Sequence, residues 1–235
     1  MIPISDDTKV RLTPLVTLAI ILSCVLVYVW EVQLGPEMGT AFIQYGFMPR
    51  SLLSPQLNPS DQTSLPAWST IFSSMFVHGS FWHLAGNMLY LWIFGNNIED
   101  AMGHARFILF YFLSGIAAAL TMAFMDPASA LPMVGASGAI SGVLGAYMLL
   151  YPRARITVVV PVLIILYPLR LSAVWVVGVW FAMQLINATL STPDSPGVAW
   201  WAHVGGFAAG MVLTPFLKSS HIPFFGPRFR RGPWN

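Results

Sequence analysis

Apolar residues fall in long runs along this chain, separated by short polar or proline-rich segments rather than alternating with polar positions. Six runs, at residues 14–30, 81–94, 107–125, 134–151, 171–190 and 198–217, contain no Asp, Glu, Lys or Arg. About 20 apolar residues cross a hydrocarbon core as a helix, because lipid offers no partner to an unsatisfied backbone group. The pattern therefore predicts an all-α membrane protein with six transmembrane helices. A seventh apolar segment, 156–168, has only 13 residues and contains Pro161. As a helix it would reach about 20 Å, too short to cross, so it is expected to lie in the interface or re-enter.

Composition fits a polytopic membrane protein, since 9% of residues are charged against roughly 25% in soluble domains. The few charges also set an orientation. With the N-terminus inside, Lys9, Arg11, Arg106, Arg153, Arg155, Arg170, Lys218, Arg228, Arg230 and Arg231 all fall on the cytoplasmic side, and only Arg50 falls outside. The positive-inside rule selects this arrangement over its inverse and places both termini in the cytoplasm. The net charge of +2 is then a topological bias spread over four segments, and implies no nucleic-acid partner.

The expected organisation is a cytoplasmic N-terminal tail (1–13), one membrane domain (14–217) and a basic cytoplasmic tail (218–235). Residues 31–67 form an outer loop whose prolines are mixed with Phe42, Ile43, Phe47 and Leu52, as in an ordered loop lying in the interface. The N-terminal sequence lacks the basic region and cleavage site of a removable signal, so the first span is expected to remain as a helix. The lone Cys24, inside that span, reads as a packed thiol.

Polar residues inside spans are costly in lipid, so each is a candidate for function. Ser137 sits in VGASGAISG at the outer end of the fourth run, His203 in AHVGGFAAG near the outer end of the sixth, and His83 and Asn87 are four apart on the second. Residues i and i+4 share a helix face. His83 lies 14 residues from Asn97, Ser137 14 from Tyr151, and His203 14 from Leu217. At 1.5 Å per residue, these three sit roughly 21 Å above the inner boundary, with Asn87 about 6 Å deeper. Small residues at i, i+4, namely Gly138 and Gly142, Ser141 and Gly145, and Gly206 and Gly210, let the fourth and sixth helices pack closely.

Brought together, these groups would perform acyl transfer. His203 would take the proton of Ser137 as it attacks a peptide carbonyl, then pass it to the leaving amine. The Ser137 backbone N–H with the His83 and Asn87 side chains would hold the oxyanion. Alone, Ser137 among glycines reads better as a packing residue, and His203 or Asn87 as an interhelical tether; it is their convergence in depth, taken with the family resemblance of the segments that hold them, that favours catalysis. His78 has two open readings, an auxiliary oxyanion or water-channel residue and an interfacial histidine. Glu99 reads as structural, capping a helix or tying down the inner loop.

The segments HGSFWHLAGN, GASGAISG and AHVGGFAAG closely resemble the rhomboid intramembrane serine proteases of bacterial type, as do Glu99 followed by Gly103 and the Tyr151-Pro152-Arg153-Ala154-Arg155 run. The resemblance extends over about residues 40 to 215. It implies a six-helix bundle, a Ser137–His203 dyad, an oxyanion hole using His83 and Asn87, and a mobile fifth helix. By position it makes Trp180 and Phe181 the substrate gate and residues 191–198 a loop cap. Two departures stand out. Ser141 occupies a place where some members carry an aromatic residue that stacks on the histidine, so His203 must be supported otherwise, and Trp68 is followed by Ser69 rather than Arg.

The expected function is thus an intramembrane serine endopeptidase acting on transmembrane segments, with no cofactor and no metal, and with the lipid bilayer and transmembrane protein substrates as partners. The alternative within the family is an inactive, client-binding membrane protein. A zinc protease would want HExxH, absent here. An aspartyl protease would want two intramembrane carboxylates, whereas Asp6, Asp7, Asp61, Asp100, Asp126 and Asp194 fall outside the spans. A transporter would spread polarity over the full depth in paired repeats. The short tails favour a multi-pass protein of a bacterial inner membrane, with the active site opening to the outer side.

Overall fold

The computed structural model describes residues 2–53, 65–162, 165–192 and 197–226. Helices make up most of it. In chain order the elements are β1 (Ile2–Asp6), α1 (Leu15–Gln33), three short helices α2 (Met38–Tyr45), α3 (Pro49–Leu53) and α4 (Ala67–Ser73), then α5 (Phe81–Tyr90), α6 (Asn96–Met102), α7 (His104–Met125), α8 (Ser137–Leu150), β2 (Arg155–Val162), β3 (Ile165–Ser172), α9 (Ala173–Leu190) and α10 (Trp200–Leu217). A π-helical stretch, Leu91–Gly95, joins α5 to α6, so one near-continuous helix runs through that region.

Among the described residues, three helices are long and apolar enough to cross a membrane: Leu15–Gln33, His104–Met125 and Ala173–Leu190. α8 is a shorter apolar helix of 14 residues, about 21 Å long. It begins at Ser137, three residues inside the apolar run expected to be helical, because Gly135 adopts a positive φ of 115° that breaks the chain direction.

The all-helical expectation is amended by a three-stranded antiparallel sheet of order β1-β2-β3. The 156–168 segment is not a short helix but part of a hairpin, with Arg155 paired to Ser172 and Val159 to Pro168. Its β-branched run Thr157-Val158-Val159-Val160 suits a pleated surface better than a helix. The N-terminal tail supplies the third strand, Ile2 pairing with Val159 and Asp6 with Ile156. The first long loop also starts later than expected, since α1 extends to Gln33 and carries Glu31 fully buried. The outer part of that loop (54–64), the middle of the 191–198 cap (193–196) and the C-terminal Arg228, Arg230 and Arg231 lie outside the described residues.

α10 packs between α7 and α8, and the contact is backbone on backbone. A Cβ at Gly206 would strike the Gly138 carbonyl, one at Gly210 the Gly142 carbonyl, and one at Gly145 the Phe207 carbonyl. The small-residue rows therefore do what their spacing predicts, closing the distance between the helices that carry Ser137 and His203.

The opposite end of α8 is tied down by the Asp6 carboxylate, and the start of α1 by Glu99. Tyr147 Oη donates to Asp6 at 2.6 Å and accepts from Thr8 Oγ1 at 3.0 Å. Asn97 Nδ2 also donates to Asp6, at 3.0 Å. Burial pushes the Asp6 carboxyl above its ordinary pKa, against these hydrogen bonds, which pull it down. Glu99, wholly buried, accepts from the Val16 and Thr17 backbone N–H groups at 2.9 and 2.8 Å and from Thr17 Oγ1 at 2.7 Å, with the His104 ring also on it. It caps the orphan N–H groups and positive end of α1, the structural role its sequence position suggests.

Candidate active site

Ser137 is the first residue of α8, and the segment before it is pinned from the first loop. Phe47 and Met133 exchange backbone hydrogen bonds at 2.9 and 2.8 Å, and Gly135 N–H donates to the Ser74 carbonyl at 2.8 Å. The first helical bond of α8 runs from Ile140 N–H to the Ala136 carbonyl. The N–H groups of Ser137, Gly138 and Ala139 are thus left at the positive end of the helix dipole.

His203 lies in the first turn of α10. Its Nε2 is 2.8 Å from Ser137 Oγ, within the hydrogen-bond range a nucleophile–base pair needs. Its other nitrogen, Nδ1, is 2.8 Å from Gln184 Oε1 on α9. Two rings flank the imidazole: Trp180 at 6.0 Å, tilted by 36°, and Trp200 at 6.2 Å, edge on. The position expected to matter for histidine stacking, Ser141, is buried and donates its hydroxyl to the Ser137 carbonyl at 2.6 Å.

His83 and Asn87 project from α5 toward the same place. A Cβ built on Gly135 would lie 2.7 Å from His83 Nε2, so the glycine leaves room for His83 against the backbone beside Ser137, and Asn87 Nδ2 comes within 3.4 Å of the same point. Asn87 Nδ2 is buried and has no hydrogen-bond partner. A buried donor without an acceptor is costly, and this one borders a cavity of about 620 Å³ that Ser137, His83, His203 and Trp180 also line.

Two expected site residues are placed elsewhere. Phe181 does not line the cavity; it stacks on Phe207 of α10 at 4.2 Å and 21°. Both rings meet Phe207, Trp180 at 6.4 Å, but only Trp180 also lines the cavity. His78 is fully buried, its backbone N–H donating to the Glu31 carboxylate at 3.0 Å. Its Nδ1 faces the Phe76 carbonyl at 3.0 Å. A carbonyl only accepts, so the proton is on Nδ1 and the unpartnered Nε2 has none to donate. Burial holds this imidazole neutral, lowering its pKa to about 4. His78 touches the site only through its ring, 5.3 Å from that of His83.

Gln184 is the neighbour that motif reading passes over. Its signal is a lone long amide in an apolar run, four residues after Trp180. Among the described residues no group of three His, Cys, Asp or Glu side chains is placed to hold a metal ion.

Fold and site together define a helix-rich membrane-type protein in which a serine at a helix N-terminus meets a histidine of a neighbouring helix beside a cavity. Comparison with known proteins gives the family. The Rhomboid domain model matches residues 66–220, and the chain belongs to the rhomboid family. It is 34% identical over 155 residues to Rhomboid protein 1, mitochondrial, of Saccharomyces cerevisiae, covering 64% of this chain and 42% of that one. It is 32% identical over 143 residues to RHOMBOID-like protein 5 of Arabidopsis thaliana, covering 61% and 42% respectively. With Rhomboid protease GluP of Bacillus subtilis the identity is 26% over 215 residues, covering 90% of this chain and 36% of that protein. The chain thus spans about two fifths of the length of these relatives.

Proposed function

We propose that this protein is an intramembrane serine endopeptidase that cleaves transmembrane segments through an acyl-enzyme formed on Ser137. The observation that carries this reading is the 2.8 Å contact between Ser137 Oγ and His203 Nε2, facing a cavity that also receives the unpartnered Asn87 amide. His203 acts as general base, then as general acid to the leaving amine. The Ser137 N–H, Asn87 Nδ2 and His83 take the oxyanion. A packing serine would not need an imidazole nitrogen aimed at its hydroxyl, nor a donor left open beside it. Family membership and likeness to Rhomboid protease GluP of Bacillus subtilis support the same chemistry.

In this reading the membrane domain covers residues 14–217 and crosses six times with both termini cytoplasmic, the spans of α8 and α10 completed by the irregular segments at their ends. The sheet and the basic tail then lie at the inner surface, and Ser137 opens to the outer side of a cell membrane. Trp180 stands at the substrate entrance, while Phe181 holds α9 against α10. Substrates are transmembrane proteins delivered through the bilayer, and no cofactor takes part.

The test is cleavage of a membrane-spanning reporter by the purified protein in lipid vesicles. Cleavage by the parent chain, lost in both Ser137→Ala and His203→Ala, is the expected result. Full cleavage by both variants would overturn the proposal.

A further inference from the structure

We infer that Gln184 is the positioning residue that selects the working tautomer of His203, the place taken by a buried carboxylate in Ser-His-Asp enzymes; the inference rests on the dyad reading above. A neutral imidazole can accept the Ser137 proton at Nε2 only if its own proton is on Nδ1. Something must therefore accept from Nδ1. Among the described residues no Asp or Glu side chain reaches this ring, and the Gln184 Oε1, at 2.8 Å, is the acceptor in contact with it.

The amide is held the right way round. Gln184 Nε2 donates to the Trp180 carbonyl at 3.2 Å, one helical turn back on α9. That carbonyl can only accept, so turning the amide over would set oxygen against oxygen there and present N–H groups to Nδ1. One hydrogen bond thus fixes which atom faces the histidine. Burial of the amide, 5% exposed, excludes competing water. Trp180, from the same helix face, lies beside the imidazole plane at 6.0 Å. Together the two side chains do the holding for which the residue at 141, a serine bonded to its own helix, has no ring.

Gln184 touches neither the nucleophile nor the oxyanion position, so it acts through His203 alone. Removing it lets the imidazole populate the other tautomer, in which Nε2–H faces Ser137 and cannot take its proton. A neutral amide stabilises the imidazolium less than a carboxylate does, so this arrangement gives a slower enzyme than an aspartate would.

The decisive variants are Gln184→Met, similar in size but without an acceptor, and Gln184→Glu. An ionised glutamate accepts from Nδ1. A protonated one keeps a carbonyl toward Nδ1 and a hydroxyl toward the Trp180 carbonyl, so either form restores the contact. Reporter cleavage by Gln184→Met is expected to lose about 10- to 100-fold in kcat with KM little changed, the range seen when the partner orienting a metal-bound histidine is removed. Gln184→Glu should keep at least about a third of the parent kcat, and gain where the glutamate is ionised, because it retains the acceptor. Histidine ¹⁵N spectra, assigned with His203→Ala, should show a protonated Nδ1 and bare Nε2 in the parent chain, with that preference lost in Gln184→Met at an unchanged melting temperature.

Parent-level kcat in Gln184→Met, or equal losses in both variants, would overturn the role of Gln184 while leaving the dyad standing. An inactive parent chain that takes no fluorophosphonate on Ser137 would instead remove the dyad, and this inference with it.

Discussion

Replacing Gly206 by alanine tests whether backbone contact between α8 and α10 sets the catalytic distance. The added methyl would strike the Gly138 carbonyl, well inside van der Waals contact, with the Ala118 methyl also 3.4 Å away. Ordinary carbon contacts lie at about 3.5 Å or more, so the two helices must part by roughly an ångström or more. Gly138 follows Ser137 directly, and His203 is one turn before Gly206 on α10. The same displacement would stretch the 2.8 Å Ser137–His203 hydrogen bond past its useful range. A misplacement of that size costs about 10²-fold in rate, and overpacking costs about 1–3 kcal/mol of stability. Reporter cleavage in vesicles and thermal melting measure the two effects. Gly39→Ala, where a methyl meets nothing within 4 Å, is the control and should leave both unchanged. Parent-level cleavage by Gly206→Ala would refute the claim that this contact holds the dyad in register.

Asn87→Ala should slow turnover about 10- to 1000-fold with the fold intact, as loss of an oxyanion donor does elsewhere; unchanged kinetics would assign Asn87 to packing. Glu99→Gln removes charge-assisted hydrogen bonds to the first turn of α1 and should cost about 2–3 kcal/mol in a denaturation experiment. An unaltered melting curve would mean that the cap contributes little.

Sequence made the dyad legible because polar groups in lipid are expensive and few, and because helix rise converts spacing into depth. Ser137, His203 and Asn87 stood out on those grounds, and the glycine rows showed which helices could touch. The sheet was hidden for a different reason. An apolar segment of 13 residues is ambiguous between helix and strand by periodicity alone, and its partner, the strand at Ile2–Asp6, lies about 150 residues away in sequence. Gln184 was lost inside a run scanned for charge and histidine, where it shares the helix with a second amide, Asn187, and nothing in the spacing shows which of the two faces His203. Position alone pairs Trp180 with Phe181, and spacing could not show that only the first borders the cavity while both meet Phe207. His78 could not be assigned because its tautomer depends on a carbonyl two residues away, a contact only the folded loop creates.

The central claim is that Ser137 is a nucleophile activated by His203, and covalent trapping tests it most directly. Purified protein in lipid is treated with a fluorophosphonate, digested, and the modified residue located by mass spectrometry. The account predicts a single adduct on Ser137, abolished in Ser137→Ala and strongly slowed in His203→Ala. An unmodified Ser137 in protein that still cleaves the membrane-spanning reporter would contradict it.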